Sequence, residues 1–302
     1  MQSDELYYRQ SGRFNSTAPL GILIPGVIVA LIAGAVYGAA VFLIPFIYIN
    51  FLLTFALGGV IGWVVYKLSV SQHVRNAKLA LLFGFLAGLA AEYAAFVGWV
   101  FAISEWEYFA IWPADLWLAV TALGENGVWT LFGGDPVSGL WLYAVWLIEF
   151  LMIVCVASLV PLVMITPMVY CEQCHQWADD HETILPFEPV ENAAAMQRDL
   201  ENGEFAVLGS IKPVGADAAA YTEFELLGCS GCDDLHVLTV NTIKLETNKK
   251  GEVTKHTDVV VQNLLIDSES RQLIAALAPA EEPEPAAADP DAVVEEASTP
   301  AE

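Results

Sequence analysis

The chain has 302 residues, 56% of them hydrophobic and 16% charged, with a formal net charge of −24. Soluble domains carry about a quarter charged residues, so a single water-soluble core is excluded. Residues 168–302 hold 27 Asp and Glu against 7 Lys and Arg, which excludes nucleic acid as a partner.

The first segment, residues 1–18, is polar and contains Asp4, Glu5, Arg9 and Arg13. It lacks the short apolar stretch and small-residue site of a cleaved signal peptide, so the first hydrophobic segment is expected to act as an uncleaved anchor. A transmembrane domain of four helices is expected over residues 19–167. Crossing a hydrocarbon core takes about 20 helical residues at roughly 1.5 Å each. Residues 20–44 meet that length, and Pro45 and Asn50 permit a turn into a second span at 51–70. A polar loop with Arg75 and Lys78 leads to a third span at 79–103.

Residues 104–139 contain neither Lys nor Arg. Within them 113–123 reads as a short helix, with Pro113 in its first turn and Asp115 near its N-terminus. It is too short to cross a bilayer. Trp106, Trp112, Trp117, Trp129 and Trp141 bracket the region as an interfacial aromatic belt does. The fourth span, 140–165, ends before Pro167. All basic residues then fall on one side, so both termini are expected in the cytoplasm, 104–139 outside, and the protein in a cell (inner) membrane.

A small α+β soluble domain is expected over 168–278. Residues 190–202 have helical spacing and stop at Gly203, 221–227 alternate as a half-buried strand, and 235–246 with 253–266 read as a hairpin. Asp267 or Ser268 can cap a last helix running to Leu277. Residues 279–302 are Pro, Ala and Glu without an aromatic residue, a composition expected to be disordered.

Cys171-Glu-Gln-Cys174 and Cys229-Ser-Gly-Cys232 are two C-x-x-C pairs, and four thiolates can surround one tetrahedral Zn²⁺. The pairs resemble the two knuckles of zinc ribbons. That resemblance implies a structural Zn²⁺ on Cys171, Cys174, Cys229 and Cys232, within a zinc-ribbon-like module. The 54 residues between the pairs depart from the roughly 15–20 of compact four-cysteine sites. A dithiol redox pair and structural disulfides are the alternatives; a cytosolic location disfavours stable disulfides. His175, His181 and His236 lie near the pairs and are read as surface residues.

Glu92 and Glu149 lie inside the third and fourth spans at comparable depth, where a carboxylate is costly and usually faces the bundle interior. They are expected to meet, either tying helices together by hydrogen bonds or sharing a proton or binding a cation. Gly34-x-x-x-Gly38, Gly58-x-x-x-Gly62 and Gly84-x-x-x-Gly88 permit close helix approach, in a tight bundle or a homo-oligomer. Cys155 reads as inert packing.

No His-Glu-x-x-His, P-loop, Gly-x-Gly-x-x-Gly after a strand or Gly-x-Ser-x-Gly is found, so no enzyme activity is supported. Two functions remain. One is a non-enzymatic interaction or regulatory protein in membrane lipid, with a protein partner or a second copy. The other is a small transporter or channel component using Glu92 and Glu149.

Overall fold

The computed structural model describes residues 6–44, 46–128, 136–215, 218–248 and 252–278. The acidic tail expected at 279–302 and Trp129 lie outside the described residues. Two compact units form: one from Tyr7–Asp179 with Gly228–Leu235, the other from the described residues of Asp180–Leu227, His236–Glu302 and the N-terminal end. The cysteine pairs therefore both belong to the unit that carries the long helices.

That unit contains α1 (Ala18–Leu43), α2 (Ile47–Ser71), α3 (Ala77–Ile103), α4 (Pro113–Asn126) and α5 (Leu140–Ile165). Four of them, α1, α2, α3 and α5, are long and apolar enough to cross a membrane. The starts have local causes. Pro19 and Pro113 stand in the first turns of α1 and α4, where their missing N–H has no helical partner to lose. Asn76 caps α3 by accepting the Leu79 N–H at 3.0 Å. With 14 residues, α4 is about 21 Å long, short of a hydrocarbon core. Leu116 of α4 and Ala110 just before it pack on Val97 and Val100 of α3, while Trp112 and Trp117 stay exposed.

Each long helix touches two main neighbours, α1 on α3, α3 on α5, α5 on α2 and α2 on α1. Small residues set these contacts. A Cβ at Gly34 or Gly38 would collide with the Ala91 or Ala95 carbonyl oxygen of α3, and one at Gly98 with that of Ala35. At Gly58 and Gly62 it would meet Val156 and Val160 of α5 at 2.9 and 2.7 Å. Gly84 lies against the Ala157 backbone and Gly88 against that of Val154. All three glycine motifs are thus used inside the bundle. Large apolar side chains such as Leu20, Ile24, Phe51, Phe55, Leu147 and Leu151 point outward. Cys155 is exposed on α5 as well. It does not pack the bundle, because the neighbouring Val154, Ala157 and Ser158 take the inward face.

The second unit is a four-stranded sheet in the order β3-β4-β5-β6, from β3 (Asp180–Phe187), β4 (Ala220–Gly228), β5 (His236–Thr247) and β6 (Val253–Ile266). β5 and β6 pair antiparallel from His236↔Ile266 to Thr247↔Val253, with bulges around Val240. The helix α6 (Ala193–Glu201) packs on β6, a 3₁₀ turn covers Phe205–Ser210, and α7 (Ser268–Ala275) packs on that turn. Asp267 caps α7 by accepting the Ser270 N–H at 2.8 Å. The core is large and apolar: Phe224, Leu226, Leu238, Ile243, Ile184 and Leu200 are almost fully buried, and Phe187 stacks on Phe224 at 4.8 Å.

The helix expected at 190–202 is shorter than its pattern, since Asn192 caps it by accepting the Ala195 N–H. β3 is an addition to the expected elements. Pro186 argues against a central strand, and β3 lies at the sheet edge where a missing N–H is tolerated. His236 is a correction: it is buried, because it lies on β5 between β4 and β6. His175 and His181 are exposed as expected.

Candidate metal centre

Beyond α5 the chain forms a short hairpin, β1 (Tyr170–Cys171) against β2 (Gln176–Trp177), with Cys171 opposite Gln176. Its turn carries Cys174, whose N–H donates to the Cys171 sulfur at 3.4 Å, and His175 at φ 55°, in the left-handed region. Between β4 and β5 the chain returns with Cys229 and Cys232 in a second turn, closed by the Cys232 N–H donating to the Cys229 carbonyl at 3.4 Å. Gly231 leaves room there. A Cβ at that position would stand 3.1 Å from the Cys174 sulfur.

The four sulfurs lie within 4.8 Å of one another, with Cys171 and Cys232 3.5 Å apart. Four ligands at about 2.3 Å from one tetrahedral ion are roughly 3.8 Å apart. The set matches that spacing and could hold a metal ion. All four thiols are free, and the 3.5 Å separation is well beyond the roughly 2.05 Å of a disulfide. Hydrogen bonding first to the Cys232 sulfur and then to that of Cys229 pushes the Cys174 thiol up to about 12. Four thiolates so close together need a cation between them.

A second ring of polar groups fixes the turns. Gln176 donates through Nε2 to the Cys229 sulfur and to Asp179 Oδ1, both at 3.4 Å. Asp179 also accepts the Ser230 N–H at 3.0 Å and the Ser230 hydroxyl at 2.7 Å, so it holds the second turn against the first. These bonds from Ser230, the backbone one foremost, hold the Asp179 carboxyl below the usual aspartate range.

The hairpin itself is tied to the adjoining end of the bundle. Glu172 accepts from Arg75 at 2.7 Å and from Ser11 at 2.6 Å. The Arg75 guanidinium lies 4.6 Å from the centre of the Tyr170 ring, and the Trp177 indole donates to the Val70 carbonyl at 2.9 Å. Tyr170 donates its N–H to the Tyr8 hydroxyl at 2.9 Å. The N-terminal segment, read from sequence only as polar, is thus part of the clasp. Its one sequence signal is the run of hydrogen-bonding residues Tyr8, Gln10, Ser11 and Arg13 just before an apolar helix.

The other expected residues, Glu92 and Glu149, lie within the bundle, apart from the cysteines. Glu92 of α3 is 6% exposed, its Oε2 buried without a hydrogen-bond partner. Glu149 of α5 is within electrostatic reach of it and is hydrogen-bonded to the Tyr37 hydroxyl of α1. Tyr37 and Thr54 of α2 were not singled out by sequence, although each interrupts an apolar run at matching depth. Comparison with family models, with curated proteins and with solved structures gives no match.

Proposed function

We propose that Cys171, Cys174, Cys229 and Cys232 hold one structural Zn²⁺, in a membrane-anchored, non-enzymatic interaction or regulatory protein. Its acidic sheet unit meets a protein partner in the cytoplasm. The observation that carries this reading is the approach of four thiol sulfurs, from segments 54 residues apart, to within 4.8 Å. Soft thiolates in a tetrahedral set suit zinc or iron, and zinc is the metal of closed structural four-cysteine sites. Four protein ligands leave no open position for water or substrate, which catalytic zinc keeps. The zinc is then a staple between β1–β2 and the β4–β5 connection.

The basic residues of the helical unit, Arg9, Arg13, Lys67, Arg75 and Lys78, lie before α1, near the end of α2 and around the start of α3. This supports a cytoplasmic cysteine end, where reducing conditions keep thiols available for metal. In intact cells, an impermeant maleimide should label a cysteine placed at Glu125 and leave one placed at Glu269 unlabelled. Equal labelling would reverse or abolish this topology.

The partner is tested by purifying the full chain in mild detergent. A stoichiometric protein that co-purifies with the wild type and is lost from the Cys229→Ser variant supports the reading. A chain that purifies alone from its native membrane contradicts it.

A further inference from the structure

At the polar centre of the bundle each long helix contributes one side chain: Tyr37 from α1, Thr54 from α2, Glu92 from α3 and Glu149 from α5. Counted along each helix from the end remote from the cysteines, they lie roughly 9–17 Å deep. Among the described residues no Lys, Arg or His is hydrogen-bonded or ion-paired to them. The basic residues of these helices are Lys67 and Lys78, and Lys67 sits over Trp63 and Tyr66, about 20 Å along α2 from Thr54.

The hydrogens of this centre can be counted. Thr54 donates its only hydroxyl proton to the Asn50 carbonyl at 2.8 Å. Its oxygen, 2.6 Å from the Tyr37 hydroxyl, must then accept the tyrosine proton. That leaves nothing on Tyr37 to fill its contact with Glu149. With an ionised Glu149, three oxygen–oxygen contacts share two protons and one contact sets lone pair against lone pair. A protonated Glu149 supplies the third. Every contact is then filled in one direction, from Glu149 to Tyr37 to Thr54 to the Asn50 carbonyl. An unpaired carboxylate in hydrocarbon is costly, which favours the same state.

We propose that this four-helix centre is an intramembrane proton-binding site, with the proton on Glu149 and a hydroxyl chain through Tyr37 and Thr54 toward the α1–α2 end. Asn50 is three residues into α2, so the chain leads to within about one helical turn of that helix end. The unpartnered Oε2 of Glu92 is where a second proton binds. The Asn50 carbonyl accepts the Thr54 proton and has none to pass on, so the chain fixes the Glu149 proton in place and leaves Tyr37 and Thr54 uncharged.

Infrared spectroscopy of the full chain in lipid nanodiscs tests this. At neutral pH the wild type should show the carbonyl band of a protonated carboxylic acid, shifting in D₂O. Glu149→Gln, whose amide can still donate to Tyr37, should fold and lose most of that band. Tyr37→Phe should keep the band, move it toward that of a free acid, and slow its deuterium exchange. If Glu149→Gln does not fold, the Tyr37→Phe result decides alone. Absence of the band from wild type at neutral pH overturns the proposal. So does a band that Glu149→Gln and Tyr37→Phe leave unchanged, or one abolished by sodium or calcium ions, which would make the centre a metal-cation site.

Discussion

The bundle buries many small side chains, and the sheet unit buries large ones. Inside the bundle Ala and Gly take many of the buried positions, among them Ala30, Gly34, Gly38, Ala87, Gly88, Ala91 and Ala157, beside a few large ones such as Ile22, Ile61 and Ile153, while many other Leu, Ile and Phe side chains point outward. In the sheet unit Phe224, Leu226, Leu238 and Ile243 are inside. Lipid is as apolar as a leucine side chain, so burying large residues between membrane helices gains little, and close backbone contact holds the bundle instead. Water drives the sheet unit together by the area of large side chains removed from it. The metal centre belongs to neither regime. It lies beyond the end of α5, where the chain has left the apolar helices and the hairpin is too small to bury a core.

The largest effect should come at that third place. Structural zinc contributes about 10–16 kcal/mol of apparent binding energy in small domains, so Cys229→Ser should abolish stoichiometric metal and open residues 168–179 and 228–235 to protease. Both cut sites becoming accessible, with the long helices still protected, would separate the clasp from the bundle.

Next come the two packing regimes. Phe224→Ala should cost the sheet unit about 3–5 kcal/mol, as truncation of a buried aromatic does, measured by denaturant melting of the full chain. Gly38→Ala should cost the bundle roughly 1–3 kcal/mol by overpacking against Ala95. Gly59→Ala, where an added Cβ meets nothing within 4 Å, should leave the melting temperature in detergent unchanged or raised. If the two glycine variants melt alike, close helix approach is not what holds the bundle.

The smallest effect belongs to Asp179. Its depressed carboxyl makes its contribution complete above about pH 3.9, the ordinary aspartate value, and lost only as pH falls through its lower folded value. Metal loss seen between pH 5 and 7 must therefore come from protonation of thiolates. At pH 7 Asp179→Asn should speed zinc loss to a chelator by about tenfold at most, since it acts through Gln176 and Ser230. A hundredfold change would make Asp179 a direct determinant of the metal.

Much of this was legible in the sequence, for separable reasons. The long helices announce themselves by length, and the β5–β6 hairpin by two β-rich runs around a polar turn. β3 was hidden because Asp180-His-Glu-Thr carries little apolar pattern and Pro186 reads as a breaker. The cysteines were legible as a ligand set because thiol pairs at that spacing have few other uses. Their placement with the helical unit was not, since it depends on Arg75, Trp177 and the N-terminal segment meeting across 60 to 160 residues. Tyr37 and Thr54 escaped for a related reason. Single hydroxyls in apolar helices carry no period, and only the packing of α1, α2 and α5 brings them to Glu149.

The central claim is the occupant of the four-cysteine site, and metal analysis of the full-length protein, purified without added metal or chelator, tests it most directly. Elemental analysis joined to X-ray absorption should give about one zinc per chain, with sulfur as the only first neighbour at about 2.3 Å. A metal-free chain with protected cysteine segments, iron in place of zinc, or a nitrogen or oxygen ligand at the metal would contradict it.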